Sequence, residues 1–205
     1  MKEQRDLWVL ERDCWAEGYE RVCGCDEAGA GPLAGAVYAA AVILPRELVI
    51  PGLDDSKKLT PKKRDMLYDQ ITAQAVAWAV ARVEPEEIDA TDILSARMNA
   101  MQRAIDQLAV QPDFALLDGN RDHGKSGAVT TPHGMIVKGD SLSASIAAAS
   151  ILAKVSRDRY MEEMAEQYPQ YAFEKHKGYP TKLHYDLLRE YGPCPIHRRS
   201  FLKKL

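Results

Sequence analysis

The sequence predicts an α/β fold, and three observations indicate it. Short apolar segments rich in β-branched residues have the pattern of strands, longer segments between them have helical spacing, and carboxylates stand where several of the strands end. Of the 205 residues, 46% are hydrophobic, which suffices to bury the core of one domain with or without an appendage.

The first two predicted strands enclose a turn of small residues. Strands are predicted at 21–26 and 34–44, and the turn between them contains Gly29-Ala30-Gly31. Asp26 and Glu27 lie where the first strand ends. Carboxylates beside a backbone that a ligand can approach closely suit a hard metal ion and a phosphodiester, although by themselves such residues are more typical of solvated turns.

Helices and short strands alternate in the middle of the chain. A helix is predicted to begin at Pro61, with Thr60 as its cap and with Met66, Leu67 and Ile71 directed inward. Three further strands are predicted at 76–83, 114–117 and 135–137, and three further helical segments at 85–108, 143–168 and 181–191.

The last part of the chain is predicted to be a basic, partly helical extension. After residue 170 there are eight Lys or Arg against three acids, although the whole chain has a formal net charge of -3. We expect residues 1–170 to form the main domain, with 1–18 as a lead-in, and 171–205 to form a substrate-binding extension. A second basic group lies at 56–64, and both groups suit a phosphate backbone as well as they suit solvated surface.

Three predicted strands end in acids, which is the most specific chemical signal in the residues themselves. Asp26 and Glu27 end the first strand, Asp118 ends the fourth, and Asp140 follows the fifth. Such strand ends can converge at one edge of an α/β sheet, and carboxylates without histidine or cysteine favour Mg²⁺ or Mn²⁺ over Zn²⁺. Two such ions ~3.5–4 Å apart would activate water for attack on a phosphodiester. Successive strand residues face opposite sides of the sheet, so Asp26 and Glu27 cannot both face one metal ion from a regular strand. Either the strand breaks at Glu27, or Glu27 reaches a second ion from another direction.

The composition excludes several classes of protein. No apolar segment has the length of a membrane span and the charged N-terminus leads into no signal segment, so we expect a cytoplasmic protein without a membrane partner. The four cysteines have neither zinc-finger spacing nor the density of a disulfide scaffold, and we expect them to be buried thiols. Cys23 and Cys25 should share one face of the first strand.

Six motifs follow one another between about Arg21 and Phe201. They read DEAGAGPLAGAVYAAAVIL, DDSKKLT, LLDGN, VKGD, SIAAASILAKVSRDRYM and HKGYPTKLH. In this order they resemble a bacterial ribonuclease HII. The resemblance implies an RNase H-like fold, with a mixed five-stranded sheet flanked by helices and a small helical C-terminal extension. It implies a monomeric endoribonuclease that hydrolyses the RNA strand of RNA–DNA hybrids. It also implies nicking of duplex DNA 5′ to single ribonucleotides, which leaves 3′-hydroxyl and 5′-phosphate ends.

The matched positions imply a role for each candidate residue. Metal binding and catalysis are expected of four acids: Asp26, Glu27, Asp118 and Asp140. Substrate binding is expected of six residues: Gly29, Ala30, Gly31, Lys57, Lys58 and Tyr179. In the family, the backbone of the Gly29–Gly31 turn reads the ribose 2′-hydroxyl, and the aromatic residue matched by Tyr179 stacks on the neighbouring deoxyribose. Lys57 or Lys58 would bind phosphate.

Ala30 departs from the family pattern, in which the turn is most often Gly-Arg-Gly. If the turn acts through backbone groups, recognition of the substrate survives, but the missing guanidinium would have added phosphate affinity. Asp158, in the long helix, is expected to pair with a neighbour such as Arg157 or Arg159 at least as readily as to take part in catalysis.

Two alternative functions stay open at this point. The first is another nuclease on the same sheet, of the ribonuclease HIII, ribonuclease HI or resolvase-like type. The lack of a long N-terminal substrate-binding domain speaks against HIII, and the Gly-Ala-Gly turn and Tyr179 speak against HI. The second is a non-catalytic module that binds hybrids, which would not need four intact acids.

Overall fold

One mixed five-stranded sheet forms the centre of the computed structural model, which describes residues 6–203. The strands are β1 (Val22–Ala28), β2 (Val37–Ile43), β3 (Ala77–Val83), β4 (Phe114–Asp118) and β5 (His133–Ile136). Their order is β3-β2-β1-β4-β5. The β1–β2 and β2–β3 pairs are antiparallel, whereas β1–β4 and β4–β5 are parallel. The predicted α/β fold is confirmed, and β1 lies in the middle of the sheet.

Helices cover both faces of the sheet. They are α1 (Val9–Ala16), α2 (Pro61–Gln74), α3 (Pro85–Ala90), α4 (Ile93–Asp106), α5 (Ala144–Gln167), α6 (Phe173–His176) and α7 (Lys182–Tyr191). Alternate residues of β2 enter different cores, because successive strand side chains point to opposite faces. Ala39 and Ala41 pack in the core that contains α4, while Ala40 and Val42 pack in the core that contains α2 and α5.

Two helices begin at side-chain caps, of which the sequence predicts the first. The Thr60 hydroxyl accepts the N–H of Lys63 at 3.4 Å and starts α2, and the Ser143 hydroxyl accepts the N–H of Ile146 at 3.1 Å and starts α5.

No helix within residues 6–203 has the length and apolar character needed to cross a membrane. All four cysteines are buried free thiols, and the 3.9 Å between Cys23 Sγ and Cys25 Sγ confirms that these two share a face.

Three details differ from the predictions. Met66 is not directed inward, since it is 51% exposed on the outer face of α2. The helical segment predicted at 85–108 is divided into α3 and α4, because Asp92 leaves helical geometry and accepts the N–H groups of Leu94 and Ser95 as the cap of α4. The expected lead-in contains α1.

Helix α1 connects the start of the chain to the start of α5. The buried carboxylate of Glu11 accepts the hydroxyls of Ser143 and Ser145, both at 2.6 Å, and the N–H of Ser145 at 3.0 Å. A carboxylate at a helix N-terminus satisfies N–H groups that have no partner within the helix. Glu11 therefore stabilises the end of α5 that follows directly after Asp140.

Gly24 allows β1 and α5 to pack closely. A Cβ at this position would overlap the backbone of Ser145 and Ile146, so a side chain there would force the strand and the helix apart. Because Gly24 precedes Asp26 by two residues, this contact fixes the distance between the N-terminal turn of α5 and the carboxyl-bearing end of β1.

Candidate active site

Three of the four predicted acids come together at the end of the parallel strands. In the register of β1 and β4, Cys25 pairs with Leu117, so Asp26 and Asp118 occupy the next place on neighbouring strands. Asp140 lies in a 3₁₀ turn at 139–141, directly after β5. One carboxylate oxygen from each of these aspartates lies within 4.8 Å of the others. The predicted convergence of strand-end acids is therefore present for three aspartates.

The cluster has too little positive charge to balance its carboxylates. Burial, and then the charges of Glu27 and Asp118, raise the pKa of Asp26 well above its usual range. Burial and the charge of Asp118 raise the pKa of Asp140. Two short backbone contacts hold the carboxylates in place: Glu27 N–H donates to Asp26 Oδ1 at 2.7 Å, and Gly139 N–H donates to Asp118 Oδ1 at 2.6 Å. A cluster of hard oxygen donors in this electrostatic state fits a divalent cation such as Mg²⁺ or Mn²⁺.

Glu27 stands apart from the three clustered aspartates, although its charge acts on Asp26 and the charge of Asp118 acts on it. Strand β1 does not break at this residue, because its pairing with β2 continues through Glu27 and Ala28. Glu27 consequently points to the other face of the sheet, where its Oε1 lies 2.8 Å from Arg97 Nη2 of α4. Burial raises the pKa of Glu27 although Arg97 opposes this. The suggestion that the strand breaks at Glu27 is wrong, and the structure leaves Glu27 Oε2 and Arg97 Nε buried without hydrogen-bond partners.

The small-residue turn and Tyr179 form one continuous surface beside the acids. Gly29 follows β1 directly and has a φ of +95°, which favours glycine, and a Cβ there would overlap the Arg157 side chain. Gly31 is exposed, and a Cβ at Gly31 would lie 4.0 Å from Tyr179 Cε1. The Tyr179 ring itself is 40% exposed. The turn and the aromatic ring can therefore contact the same ligand.

The two predicted phosphate-binding lysines lie in different environments. Lys57 Nζ is 3.5 Å from Asp140 Oδ2, at the acidic cluster. Lys58 Nζ is turned to Asp54 Oδ1 at 3.0 Å, and Lys58 contributes to a separate cavity of about 770 Å³ beside Trp8. The geometry therefore brings Lys57, and not Lys58, to the acids.

Asp158 is held in ion pairs away from the cluster. Its partners are Lys154 at 2.7 Å and Arg64 at 3.7 Å, so the expectation of an ion pair was right but the expected partners, Arg157 and Arg159, were not. Arg157 is instead buried beneath the turn, where it donates to the carbonyl oxygens of Ala34, Ala36 and Lys177.

Sequence reasoning missed Arg97, Arg157 and Arg198 as parts of the site. Each contacts residues far away along the chain, and the Arg198 side chain donates to a backbone carbonyl 169 residues away. The only signal in the sequence for Arg157 was its place among the small, apolar residues of a helix predicted to pack on the sheet. For Arg97 and Arg198 the sequence offers no comparable signal.

Comparison with known proteins identifies close relatives over the whole chain. The family model described as ribonuclease HII matches residues 23–204. The chain is 49% identical to a ribonuclease HII of Caldicellulosiruptor bescii over 205 residues, which cover 100% of this chain and 98% of the relative. It is also 49% identical to a ribonuclease HII of Halalkalibacterium halodurans, over 97% of this chain and 74% of the relative.

Comparison with solved structures identifies proteins of similar fold. The fold is similar to that of ribonuclease H2 from Pyrococcus horikoshii OT3, with a TM-score of 0.72, 26% identity, and coverage of 88% of this chain and 93% of that one. It is similar to the structure of the PCNA:RNase HII complex from Archaeoglobus fulgidus, with a TM-score of 0.71, 26% identity, and coverage of 87% and 94%. Bst-RNase HIII in complex with Mn²⁺ shares the fold, with a TM-score of 0.62, 18% identity, and coverage of 84% and 63%.

Proposed function

Because this chain belongs to the ribonuclease HII family, we propose that it nicks DNA duplexes on the 5′ side of single embedded ribonucleotides. As a member of the family it is a metal-dependent endoribonuclease that acts on RNA–DNA hybrids. The proposed reaction goes further, because it requires recognition of one 2′-hydroxyl within DNA. Its products would carry 3′-hydroxyl and 5′-phosphate ends, and its role would be ribonucleotide removal.

The observation that carries the proposal is the direct continuation of β1 into the glycine-containing turn. Strand β1 contains Asp26 and ends at Ala28, and Gly29 is the next residue. Only the 2′-hydroxyl distinguishes an embedded ribonucleotide from its neighbours, so a protein group must donate to it or accept from it close to the bond that is cut. Backbone groups of the Gly29–Gly31 turn are suitably placed, with the Tyr179 ring beside them to stack on the adjacent sugar.

We assign the cation ligands to the acids. Asp26, Asp118 and Asp140 would hold Mg²⁺ or Mn²⁺. Glu27 would complete the ligand set of a two-ion site by exchanging its contact with Arg97 for a cation. The bound cations would polarise the scissile phosphate and lower the pKa of the attacking water.

The remaining roles belong to residues around the acids. Lys57, which lies against Asp140, would contact a substrate phosphate, while Lys58 is proposed only as a more distant contact because it is paired with Asp54. Residues 171–205 are proposed to act as the substrate-binding extension, since they contribute Tyr179. Action as a monomer is part of the same proposal and follows from the family resemblance alone.

The decisive experiment uses one labelled DNA duplex with a single ribonucleotide and, beside it, an RNA–DNA hybrid. Each is incubated with Mg²⁺ and with Mn²⁺, and the cut is mapped. We expect a nick immediately 5′ to the ribonucleotide and cleavage throughout the hybrid. Cleavage of the hybrid alone, only within stretches of several ribonucleotides, would instead favour a specificity of the ribonuclease HI or HIII type.

The variant Asp118→Asn tests whether cleavage, and not substrate binding, depends on the proposed metal ligands. This variant should lose more than about tenfold in cleavage on both substrates, because an amide is a weaker ligand for a hard cation than a carboxylate. Binding to the ribonucleotide duplex in Ca²⁺, which should support binding without hydrolysis, should stay within about twofold of the wild type because the turn and Tyr179 are unchanged. The same comparison applies to Asp26→Asn. Activity within tenfold of wild type in either variant would contradict the assignment of the metal ligands.

A further inference from the structure

Arg198 lies beneath the turn and has no solvent exposure. Its guanidinium donates to three backbone carbonyl oxygens, those of Gly29 at 2.7 Å, Ala30 at 3.0 Å and Gly35 at 2.7 and 2.9 Å. A planar guanidinium is suited to this task because its donors point in fixed directions. One side chain from the C-terminal part of the chain therefore fixes two successive peptide units of the turn.

The direction of these carbonyls determines the direction of two amides. A trans peptide unit is planar, and its C=O and N–H bonds point in opposite directions. All peptide bonds in the described part of the chain are trans. Because the Gly29 and Ala30 carbonyls point inward to Arg198, the N–H groups of Ala30 and Gly31 point outward. None of the hydrogen bonds found within residues 6–203 uses either N–H group as its donor.

Arg157 provides a second buried guanidinium on the same side of the turn. It donates to the carbonyls of Ala34 at 3.2 Å, Ala36 at 3.2 Å and Lys177 at 3.1 Å. Its Cζ also lies 5.7 Å from the centroid of the Tyr179 ring. Arg157 thereby connects the segment after the turn with the segment that carries Tyr179.

The two guanidiniums have an unusual electrostatic environment. Every acceptor found for them within residues 6–203 is a backbone carbonyl oxygen, with no carboxylate among them. Burial, and then the charge of Arg157, lower the pKa of Arg198 to about 9, so Arg198 is still a cation at neutral pH. Burying a charge without an opposite charge is costly, and here it places positive potential directly behind two outward N–H dipoles.

From these contacts we propose that Arg198 is a positioning residue for ribonucleotide recognition, with Arg157 as its neighbour in the same role. Arg198 holds the Gly29 and Ala30 carbonyls inward so that the Ala30 and Gly31 N–H groups face the 2′-hydroxyl and the adjacent phosphate. This inference rests on the proposed function and names the groups that would give it selectivity.

The test uses Arg198→Lys, which keeps the charge but removes the planar set of donors. A lysine cannot hold the Gly29, Ala30 and Gly35 carbonyls together in fixed directions. Affinity is measured by fluorescence anisotropy in Ca²⁺ for two duplexes that differ only in one 2′-hydroxyl. We expect the wild type to prefer the ribonucleotide duplex and the variant to bind both duplexes within about twofold of each other. A purely structural role would weaken both affinities equally and leave the preference intact.

Kinetics on the ribonucleotide duplex give a second readout. Arg198→Lys should raise KM about tenfold while kcat stays within about threefold, because the acids are untouched. The matched control is Arg103→Lys, since Arg103 on α4 also donates to a carbonyl, that of Arg82 at 3.3 Å, but lies outside the site. The control should change neither the affinity ratio nor KM. An unchanged preference in Arg198→Lys would overturn the inference and leave the proposed function standing.

A measurement on the wild-type protein covers the case in which Arg198→Lys does not fold. The amide resonances of Ala30 and Gly31 are followed by NMR while each duplex is added in Ca²⁺. We expect both amide protons to shift with the ribonucleotide duplex and to shift less with the all-DNA duplex. Equal shifts would overturn the positioning role. A wild-type enzyme that neither prefers nor nicks the ribonucleotide duplex would overturn the proposed function and, with it, this inference.

Discussion

At Tyr179 and Ala30, two residues of the proposed recognition surface, we expect a single substitution to separate recognition from chemistry. Both lie on the surface formed by the turn, and neither contributes an oxygen to the aspartate cluster. Tyr179 offers an exposed ring, while Ala30 offers a backbone N–H and a small side chain. Their substitutions should therefore change how the substrate is bound while leaving the carboxylates intact.

Tyr179→Ala should reduce cleavage at an isolated ribonucleotide more than cleavage of a long hybrid. Stacking of an aromatic side chain on a base contributes ~1–3 kcal/mol, and a contact with a sugar should lie at or below the lower end of that range. The rates are compared on both substrates, with Tyr179→Phe as the control that keeps the ring. Equal losses on the two substrates would show that Tyr179 is structural.

Ala30→Arg should lower KM and make it more dependent on salt, with the position of the nick unchanged. An added guanidinium at this partly exposed position would contribute a charge-assisted phosphate contact of roughly 1 kcal/mol or more. Each phosphate contact adds about 0.9 to the slope of log affinity against log salt concentration on B-form DNA. KM is measured between low and moderate salt, with Ala30→Gln as an uncharged control of similar reach. A salt slope equal to that of the glutamine variant would contradict this prediction.

At the scale of elements, the site depends on how closely α5 packs on β1. Gly24 permits this contact, and Glu11 of α1 stabilises the end of α5 that follows Asp140. The distances between the aspartates therefore depend on a strand, a helix and the N-terminal helix together. A change far from the cluster can alter it by moving α5.

Gly24→Ala tests this dependence. The added Cβ would overlap the backbone of Ser145 and Ile146, and overpacking of this kind typically costs ~1–3 kcal/mol of unfolding free energy. Denaturant unfolding should show that loss, and cation binding measured by calorimetry should weaken as well. Gly134→Ala is the control, because a Cβ at Gly134 of β5 would meet only Phe114 at ordinary contact distance, 3.6 Å. The same stability for both variants would contradict the proposed tight contact.

The elements themselves were largely predictable from the sequence, because their signals are local. Thr60-Pro61 marks a helix start through its cap, and the five strand patterns match five strands to within a few residues. The direction of the Glu27 side chain was harder to predict from the sequence, because it depends on how far β1 continues to pair with β2. The partners of Arg97 and Arg198 could not be predicted, since a buried guanidinium that binds backbone carbonyls needs no particular residue type opposite it.

At the scale of the whole molecule, a chain of buried hydrogen bonds joins the C-terminal segment to Tyr179. The Cys194 N–H donates to His197 Nδ1 at 3.0 Å, so the proton of His197 is on Nε2. His197 Nε2 therefore donates to His184 Nε2 at 3.0 Å, and His184 Nδ1 donates to the Tyr179 carbonyl at 3.0 Å. Both rings must be neutral for this arrangement to exist.

The stability of the protein should therefore fall in mild acid. Burial lowers the pKa of both His184 and His197 to about 4, while the ordinary pKa is 6.5. Between pH 6.5 and about 4 the unfolded chain takes up protons that the folded protein does not, so this stability is complete above pH 6.5 and is lost as the pH falls towards 4. The loss is at most about 3 kcal/mol for each histidine.

His197→Asn is the variant that checks this pH dependence. It removes one of the two titrating rings, so its unfolding free energy should fall less steeply between pH 6.5 and pH 4 than that of the wild type. His176 stacks on His184 at 4.3 Å between ring centroids and remains in both proteins, as do the carboxylates. Parallel curves for wild type and His197→Asn would show that the pair does not titrate in this window.

The distance along the chain between Gly29 and Arg198 has a consequence for biosynthesis. Proteins emerge from the ribosome with the N-terminus first, so a long-range contact cannot form before its second partner has been synthesised. Asp26, Asp118 and Asp140 therefore leave the ribosome before Arg198, the residue that orients the turn. We expect a nascent chain that ends before Arg198 to contain every carboxylate of the cluster and yet to lack the contact that we propose for ribonucleotide recognition. Selectivity would then be the last property that this enzyme gains during its synthesis.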